Sequence, residues 1–381
     1  GRNVLYLLPE IAMTAQLIQR IEGYFGERVI TYHSTFPERR RVEAYRRANR
    51  SRGGELIIGV RSSVFLPAGD LGLVIVDEEH DQSYKNMDFA PRYHASDSAV
   101  VLARMSGAKT LLGSATPSLE SYTNASSGKY GLTTLAERYG DSVMPRIIIS
   151  DTIRSVKRGE RKTHFNKELL DNIAETLESG RQAILFQNRR GFSPYVECGE
   201  CGWIAMCPNC NVALTLHKAD GRLRCHYCSH NSPAVHICPG CNRPAVQPQG
   251  FGTEKIEDEL SKLFPAARIE RLDRDTSRTV SSYNAIISSF EQGRTDILVG
   301  TQMITKGFDF GGVALVGILN ADNLLAYPDF RASERAFQLM TQVAGRAGRR
   351  TEQGTVVIQT AQPAHPVIRQ VATCDYDGMA R

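Results

Sequence analysis

The chain has 381 residues, of which 41% are apolar and 23% are charged. This length and composition are typical of a globular protein with roughly two or three domains. Its net charge of +5 permits nucleic-acid binding without requiring it. No apolar run approaches the roughly 18 residues that a membrane helix needs, and no signal segment opens the chain. We therefore expect a cytoplasmic protein without a membrane partner.

Apolar runs alternate with helix-period stretches along the first 140 residues. Strands that alternate with helices predict a parallel, doubly wound sheet, so we assign residues 1–140 to a first α/β lobe. Strands are predicted at 4–8, 29–33, 56–60, 73–76 and 110–113, and helices up to about 21, over 37–49 and over 95–105.

The most informative stretch of this lobe is the run 73–76, four apolar residues without polar alternation, as in a strand buried on both faces. It ends in Asp77 and Glu78, at the edge where open α/β sheets bind ligands. In such a Walker B arrangement the Asp holds Mg²⁺, and the Glu activates the water that attacks a γ-phosphate. The alternative is a solvated acidic turn. The small hydroxyl residues Ser114 and Thr116 follow the next strand, so we expect them near the acidic pair.

A Walker A loop, Gly-x4-Gly-Lys-Ser/Thr, does not occur in this sequence. Such a loop needs its glycines because backbone N–H groups must close round the phosphates. In this fold it would precede the first predicted strand. We therefore expect that the chain is a fragment that begins just after a Walker A loop.

A second lobe is predicted in two segments, 166–195 and 246–381, where the α/β pattern resumes. The polar and basic region 141–165 is predicted to be a linker, and 196–245 interrupts the lobe as a cysteine-rich insertion. Strands are predicted at 183–187, 268–272, 297–300, 313–319 and 355–359, and helices over 166–177, from 253, over 282–290 and over 333–343.

The insertion contains four Cys-x2-Cys pairs. Eight thiolates suffice for two closed, four-coordinate Zn²⁺ sites, which are structural because no coordination position stays open. Disulfides and an iron–sulfur cluster are the alternatives that this even pairing in a cytosolic-type chain disfavours. The spacing does not determine which pairs share an ion. The predicted ligands are Cys198, Cys201, Cys207, Cys210, Cys225, Cys228, Cys238 and Cys241.

Aromatic and basic residues are interspersed in the loop that follows the acidic motif. Unpaired bases stack on aromatic faces and arginine without sequence preference, so this loop is a candidate contact for single-stranded DNA. The alternative is a surface loop with packed aromatic residues. The predicted DNA-contacting residues of the loop are Tyr84, Lys85, Phe89, Arg92, Tyr93 and His94.

Two arginines, Arg346 and Arg349, follow the helix predicted at 333–343. Basic residues at this place either stabilise the helix dipole or act as arginine fingers that stabilise a transferring γ-phosphoryl group.

These motifs together resemble those of superfamily 2 helicases. Asp77–His80 resembles motif II, Ser114–Thr116 motif III, Gly300–Gln302 motif V and Gln342–Arg349 motif VI. Segments 8–11, 59–62 and 185–191 resemble motifs Ia, Ib and IV. With the cysteine insertion, the pattern is similar to one family, the PriA family of bacterial replication-restart helicases. The family's amino-terminal DNA-binding domains, Walker A loop and carboxy-terminal domain are not recognised in this sequence.

The resemblance implies two RecA-like lobes and an ATP-dependent, 3′-to-5′ DNA helicase that assembles a primosome at stalled forks. It implies forked and single-stranded DNA, primosome proteins and single-strand-binding protein as partners, and nested zinc sites in which the inner four cysteines share one ion and the outer four the other. The resemblance assigns catalysis, with Mg²⁺, to Asp77, Glu78, Arg346 and Arg349. It assigns ATP binding or coupling to Glu79, His80, Ser114, Thr116, Gly307, Asp309 and Gln342. It assigns further DNA contacts to Arg61, Thr301 and Gln302.

Two other functions are open. A zinc-ribbon scaffold on inactive helicase lobes would bind DNA or proteins without hydrolysis, but it has no need of the intact carboxylates and arginines. A restriction or repair translocase does not suit eight paired cysteines in the second lobe.

Because the sequence contains no phosphate-cradling loop, we expect residues 1–381 alone to show no appreciable DNA-stimulated ATP hydrolysis. A phosphate-release assay with and without single-stranded DNA checks this. Robust stimulated turnover would show that the nucleotide site lies elsewhere.

Overall fold

The computed structural model divides into two compact units, Gly1–Thr133 and Thr134–Arg381. Each unit contains its own parallel sheet, which confirms the predicted α/β class. In the described part of the chain, no helix has the length and apolarity that a membrane crossing requires. The described residues are 1–9, 15–34, 36–87, 90–135, 143–188, 195–210, 212–217, 221–225, 228–249, 252–273, 275–277, 279–305, 310–327, 329–348 and 353–381.

Strands and helices alternate through the first unit, as the sequence predicts. The strands are β1 (Asn3–Leu7), β2 (Val29–Tyr32), β3 (Leu56–Gly59), β4 (Leu71–Asp77) and β5 (Lys109–Gly113), and the helices are α1 (Ala15–Phe25), α2 (Glu38–Arg50), α3 (Ala95–Met105) and α4 (Leu119–Ser126). All strand pairs are parallel, in the order β2-β3-β1-β4-β5. The strand that delivers the acidic motif therefore lies between β1 and β5.

The core of this unit forms where short helix residues meet β-branched strand residues. Val74 and Val76 of β4 are fully buried. Ala95, Ala99 and Ala103 of α3 are also fully buried and recur every four residues, so they form one face of that helix. Their small side chains let the helix approach β4 closely, which fixes the strand whose carboxyl end carries Asp77.

The second unit is built around a larger sheet. Six parallel strands pair in the order β15-β16-β9-β17-β18-β6. The strands are β6 (Arg146–Asp151), β7 (Arg161–Lys162), β8 (Phe165–Asn166), β9 (Gln182–Phe186), β10 (Tyr195–Cys198), β11 (Thr215–His217), β12 (Arg222–Arg224), β13 (Asn231–Pro233), β14 (Val246–Gln249), β15 (Ile269–Leu272), β16 (Ile297–Gly300), β17 (Val313–Ile318) and β18 (Thr355–Thr360). The helices are α5 (Thr152–Lys157), α6 (Lys167–Glu178), α7 (Thr253–Leu263), α8 (Val280–Glu291), α9 (Asp322–Leu325), α10 (Ala332–Ala344), α11 (Pro366–Thr373) and α12 (Tyr376–Ala380).

The linker predicted at 141–165 is wrong where this region is described, from residue 143 onward. Its apolar run 147–149 forms the centre of β6, which pairs in parallel with β18 and completes the second sheet. The basic residues that suggested a linker lie in α5 and in the β7–β8 hairpin. His164 anchors this hairpin, because its Nδ1 lies 2.7 Å from a carboxylate oxygen of Glu259.

The cysteine-rich insertion leaves the second unit at β10 and returns at β14. These two strands pair antiparallel, with Cys198 opposite Val246, so the ends of the insertion lie side by side. A small core of its own includes the buried side chains of Val196, Leu214 and Leu223. The insertion is therefore a compact appendage with a two-stranded base.

Candidate functional site

Asp77 stands at the carboxyl end of β4, where three neighbouring groups hold it. The Tyr6 hydroxyl of β1 donates to Oδ2 at 3.0 Å, and the Glu78 backbone N–H donates to Oδ1 at 3.0 Å. The Tyr84 hydroxyl lies 2.7 Å from the Asp77 carbonyl oxygen. Each carboxylate oxygen thus accepts one hydrogen bond and keeps a lone pair, which suits direct or water-mediated contact with Mg²⁺.

Tyr6 is a site residue that sequence reasoning missed. It lies on the strand next to β4, opposite Ile75, two residues before Asp77. Burial first, and then the negative charge of Asp77, raises the pKa of Tyr6 well above its ordinary value, so the phenol stays a neutral donor. The available signal was positional, because parallel neighbouring strands bring residues near their carboxyl ends together.

Glu78 occupies a left-handed backbone conformation, with φ of +47°. A residue other than glycine pays about 1–3 kcal/mol for this conformation, which tends to persist where the surroundings determine it. Its side chain stays 39% exposed, with one carboxylate oxygen 3.7 Å from Nδ1 of His80. The turn therefore presents Glu78 at the sheet edge while the chain folds back behind it.

Glu79 points away from that edge and is only 4% exposed. Its carboxylate accepts hydrogen bonds from the Ser118 backbone N–H at 2.6 Å, the Ser118 hydroxyl at 3.1 Å and the Ser121 hydroxyl at 3.0 Å. These donors lie at the start of α4. The position suits coupling between the acidic motif and the segment after β5, rather than contact with a nucleotide.

His80 joins the acidic motif to the Ser114–Thr116 segment, as expected from the shared sheet edge. Its Nδ1 lies 2.7 Å from the Ser114 hydroxyl oxygen, which also accepts the Thr116 backbone N–H at 3.0 Å. Asp77 and Gly113 are paired across β4 and β5, which sets this register. A shift at the acidic motif would therefore reach Ser114 through one side chain.

The prediction that Tyr84 stacks on DNA bases is wrong, because its side chain is fully buried. Its hydroxyl lies 3.0 Å from the Leu7 carbonyl oxygen and 2.7 Å from that of Asp77. Burial first, and then Asp77, raises the pKa of Tyr84 above its ordinary value. The ring is a core element that bridges the ends of β1 and β4.

Phe65 is the exposed ring of this surface that the sequence did not reveal. It is 60% exposed and packs edge-to-face against the half-buried Tyr93, with ring centroids 4.8 Å apart. Arg61, four residues earlier, donates from Nη1 to the carbonyl oxygens of Ser83 and Lys85 at 3.3 Å each. Arg61 thus holds the start of the loop, and its contact with DNA stays a prediction.

On either side of residues 88–89, the described parts of the loop pair with each other as a narrow hairpin. Lys85 and His94 form an antiparallel bridge, and the Asn86 backbone N–H donates to the Tyr93 carbonyl at 2.8 Å. Lys85 and Arg92 are exposed, and His94 lies 3.9 Å from the Asp97 carboxylate. Phe89 lies outside the described residues. The hairpin displays basic side chains beside the Phe65–Tyr93 pair.

In the second unit, one core supports the two predicted motif segments. Thr301 follows β16, and the turn Gln302–Thr305 buries Ile304 beside Met340 and Ala344 of α10. Three other predicted contributors, Gly307, Asp309 and Arg349, lie outside the described residues. Gln342 and Arg346, half-buried, stand near the end of α10.

The eight paired cysteines form two groups of four, and within each group all sulfur atoms lie within 4.8 Å of one another. The inner group is Cys207, Cys210, Cys225 and Cys228, and the outer group is Cys198, Cys201, Cys238 and Cys241. This confirms the nested pairing that the family resemblance implies.

The sulfur separations suit zinc. They are 3.6 Å for Cys198–Cys241, 3.5 Å for Cys201–Cys238 and 3.6 Å for Cys207–Cys228. A tetrahedron with Zn–S distances of about 2.3 Å has edges of about 3.8 Å, whereas a disulfide needs about 2.0 Å.

Buried polar groups dock the insertion onto the second unit. Glu197 of β10 is buried, and burial first, followed by the nearby Asp322, raises its pKa to about 8. Asp322 accepts the Thr360 hydroxyl at 2.8 Å and the Ala361 backbone N–H at 2.7 Å. Gly202, with φ of +72°, lies so close to Ala361 that a Cβ would approach it to 3.1 Å. These contacts therefore fix the position of the insertion on the rest of the second unit.

We expect two zinc ions per chain. Structural zinc contributes about 10–16 kcal/mol in small metal-folded peptides, against about 5–15 kcal/mol for the stability of a whole domain, so metal decides whether the insertion folds. Elemental analysis of the purified chain, with tryptophan fluorescence of Trp203 during chelation, checks this. Well under one zinc per chain, or iron with a visible chromophore, would contradict it.

Three sequence families match the chain. The family described as DEAD/DEAH box helicase matches residues 1–125, and the helicase conserved C-terminal domain matches 251–351. The PriA DNA helicase Cys-rich region (CRR) domain matches 207–233, which contains the inner cysteine group.

Solved helicase structures resemble the chain in fold. MrfA bound to DNA aligns with a TM-score of 0.54 and 14% identity over 100% of this chain and 42% of that one. RecG bound to a three-way DNA junction aligns with a TM-score of 0.52 and 16% identity over 100% of this chain and 39% of that one. This likeness confirms the RecA-like fold of the two lobes.

Curated relatives match along nearly the whole chain. The replication restart protein PriA of Bacillus subtilis is 42% identical over 377 residues, 99% of this chain and 46% of that protein. Its counterpart in Haemophilus influenzae is 41% identical over 381 residues, 100% of this chain and 51% of that protein. The chain thus spans about half the length of these relatives. Over the length that it spans, the chain belongs to the PriA family of superfamily 2 helicases.

Proposed function

We propose that this chain is the motor core of an ATP-dependent DNA helicase of replication restart, moving 3′ to 5′. The observation that carries the proposal is the carboxyl edge of the first sheet, where Asp77 and Glu78 lie beside His80 and Ser114. The family membership and the intact acidic motif favour a working motor over a scaffold. Forked DNA, single-strand-binding protein and primosome proteins are the partners that this function requires.

The roles of the residues follow from their positions. Asp77 would hold Mg²⁺, and the Tyr6 hydroxyl fixes the orientation of its carboxylate. Glu78 accepts the proton of the attacking water, for which its partly exposed carboxylate is suited. Arg346 and Arg349 of the second lobe stabilise the transferring phosphoryl group. Mg²⁺ supplies charge neutralisation at the phosphates when bound.

We further propose that DNA binding reaches this site through packed side chains. A base that stacks on Phe65 and Tyr93 shifts the hairpin, whose backbone is tied to Tyr93 by Asn86. The hairpin continues from Tyr84, whose hydroxyl touches the Asp77 carbonyl oxygen. The coupling of DNA to hydrolysis therefore runs over a short, contiguous path.

Glu78→Gln should bind ATP and lose turnover, because an amide keeps the shape of the side chain but cannot accept the proton of water. The measurement is ATPase activity and nucleotide affinity in a form of the protein that carries a Walker A loop. Arg346→Ala is measured beside it, and this variant should lose more of its ATP turnover than of its nucleotide affinity. A near-normal rate for Glu78→Gln would remove Glu78 as the base.

Tyr93→Ala and Phe65→Ala should each strongly lower DNA-stimulated hydrolysis while basal hydrolysis stays nearly intact. Stacking contributes about 1–3 kcal/mol per base, so single-strand affinity should fall by roughly tenfold or less, the low end of that range. ATPase assays with and without single-stranded DNA, beside a binding titration at matched salt, check this.

Tyr24→Ala is the control for these variants, because its ring is 76% exposed on α1 and is not part of the Phe65–Tyr93 pair. It should leave both rates unchanged. Equal loss of basal and stimulated rates in Tyr93→Ala would mean that the loop only supports the fold.

A further inference from the structure

A concentrated positive charge lies on α2, a helix that the proposed motor function does not use. Its 13 residues include six arginines and two glutamates, a net charge of 6 − 2 = +4, against +5 for the whole chain. Ala44 and Ala48 bury the opposite face against the sheet. The charge is therefore displayed outward along one rigid element.

Three of these arginines form a straight stripe. Arg39, Arg46 and Arg50 are exposed and spaced by seven and four residues, so they lie within about 40° of one another round the helix. At a rise of about 1.5 Å per residue they extend over about 16 Å. Glu43 is the one acidic residue on this face.

The stripe arginines are not engaged elsewhere in the described part of the chain. Arg47, on the flank, pairs with Glu55 at 2.8 Å, and Arg40 lies over the Phe36 ring at 3.9 Å. No such partner holds Arg39, Arg46 or Arg50 among the described residues. They border an open groove of about 840 Å³ that runs beside the helix.

The position of α2 connects this groove to the edge that we assign to DNA. The helix follows β2, so it begins at the carboxyl edge of the sheet, where β3 also ends before Arg61. From there it runs back along the outside of the unit, against the edge strand β2. A ligand on the stripe would extend away from the Phe65–Tyr93 surface.

We propose that the α2 stripe, Arg39, Arg46 and Arg50, binds the sugar–phosphate backbone of duplex DNA. Guanidinium groups bind phosphate oxygens through two parallel hydrogen bonds. Duplex DNA is stiff and presents one negative charge per about 1.7 Å of its axis, so a straight helix can lie along its phosphates. Single strands bind chiefly where rings stack on bases. The exposed ring of Tyr45 lies about a third of a helical turn from the stripe, so the three stripe positions carry no aromatic ring on which a base could stack.

This inference rests on the proposed function only for the choice of nucleic acid as ligand. It is tested on the 381-residue chain without nucleotide, by fluorescence anisotropy with a blunt duplex of about 25 base pairs over a salt series. The triple variant Arg39→Gln, Arg46→Gln, Arg50→Gln should lower the magnitude of the log–log salt slope by about 2.7, or 0.9 for each lost phosphate contact. Duplex affinity near 0.1 M salt should fall at least tenfold.

Glu43→Gln changes the charge in the opposite direction, because it removes the negative charge on the same face of the helix. It should tighten duplex binding, and since the substitution is isosteric and exposed it leaves the fold intact. The control of equal charge is Arg154→Gln, Lys157→Gln, Arg158→Gln, three exposed residues at α5 of the second unit. It should retain the affinity and the salt slope of the unmodified chain.

Four results would overturn the proposal. They are an unchanged salt slope in the triple variant, an equal loss in the α5 control, an equal or larger loss on single-stranded oligothymidine, and weaker or unchanged duplex binding by Glu43→Gln. Thermal melting shows whether the triple variant folds; if it does not, the Glu43→Gln result decides. Loss of stimulated ATPase in Tyr93→Ala concerns the motor function alone, so the two proposals fail separately.

Discussion

The hydroxyl of Tyr84 is the contact on which the first unit depends. It lies between the carbonyl oxygens of Leu7 and Asp77, where β1 and β4 end and the ladder of backbone hydrogen bonds stops. A buried carbonyl without a partner costs about 1–3 kcal/mol, so this single core phenol fixes where the acidic motif leaves the sheet. The same residue opens the hairpin that displays Tyr93, so the acidic motif and the hairpin share one support.

From that support, three consecutive acidic residues acquire different environments. Asp77 continues the strand, Glu78 turns through a left-handed conformation, and Glu79 is buried against the start of α4. The left-handed backbone conformation of Glu78 alone is enough to point the three side chains in different directions. The local sequence, three acids in a row, does not carry this distinction, because it arises from Gly113 and Ser118 on neighbouring elements.

The sequence predicted the sheets well because continuous apolar runs bounded by polar turns have few other ways to be buried. It failed where burial depends on distant partners. Tyr84 meets Leu7 across 77 positions of chain, and β6 is a strand only because β18, some two hundred residues later, offers it an edge. Phe65 gave no signal, since exposure of a ring cannot be read from its neighbours in sequence. The cysteine groups lay between these cases, because the spacing predicted two four-cysteine sites and the fold shows which cysteines share each site.

Nested metal sites also impose an order of assembly on the insertion. The inner group closes the short segment between Cys210 and Cys225, whereas the outer group must join Cys201 to Cys238 across everything between them. The entropy lost on closing a loop rises with its length, so the inner ion binds the less ordered chain at lower cost. Once bound, it shortens the path that the outer ion must close, and β10 meets β14 in the same event. The insertion should therefore load metal from the inside outward.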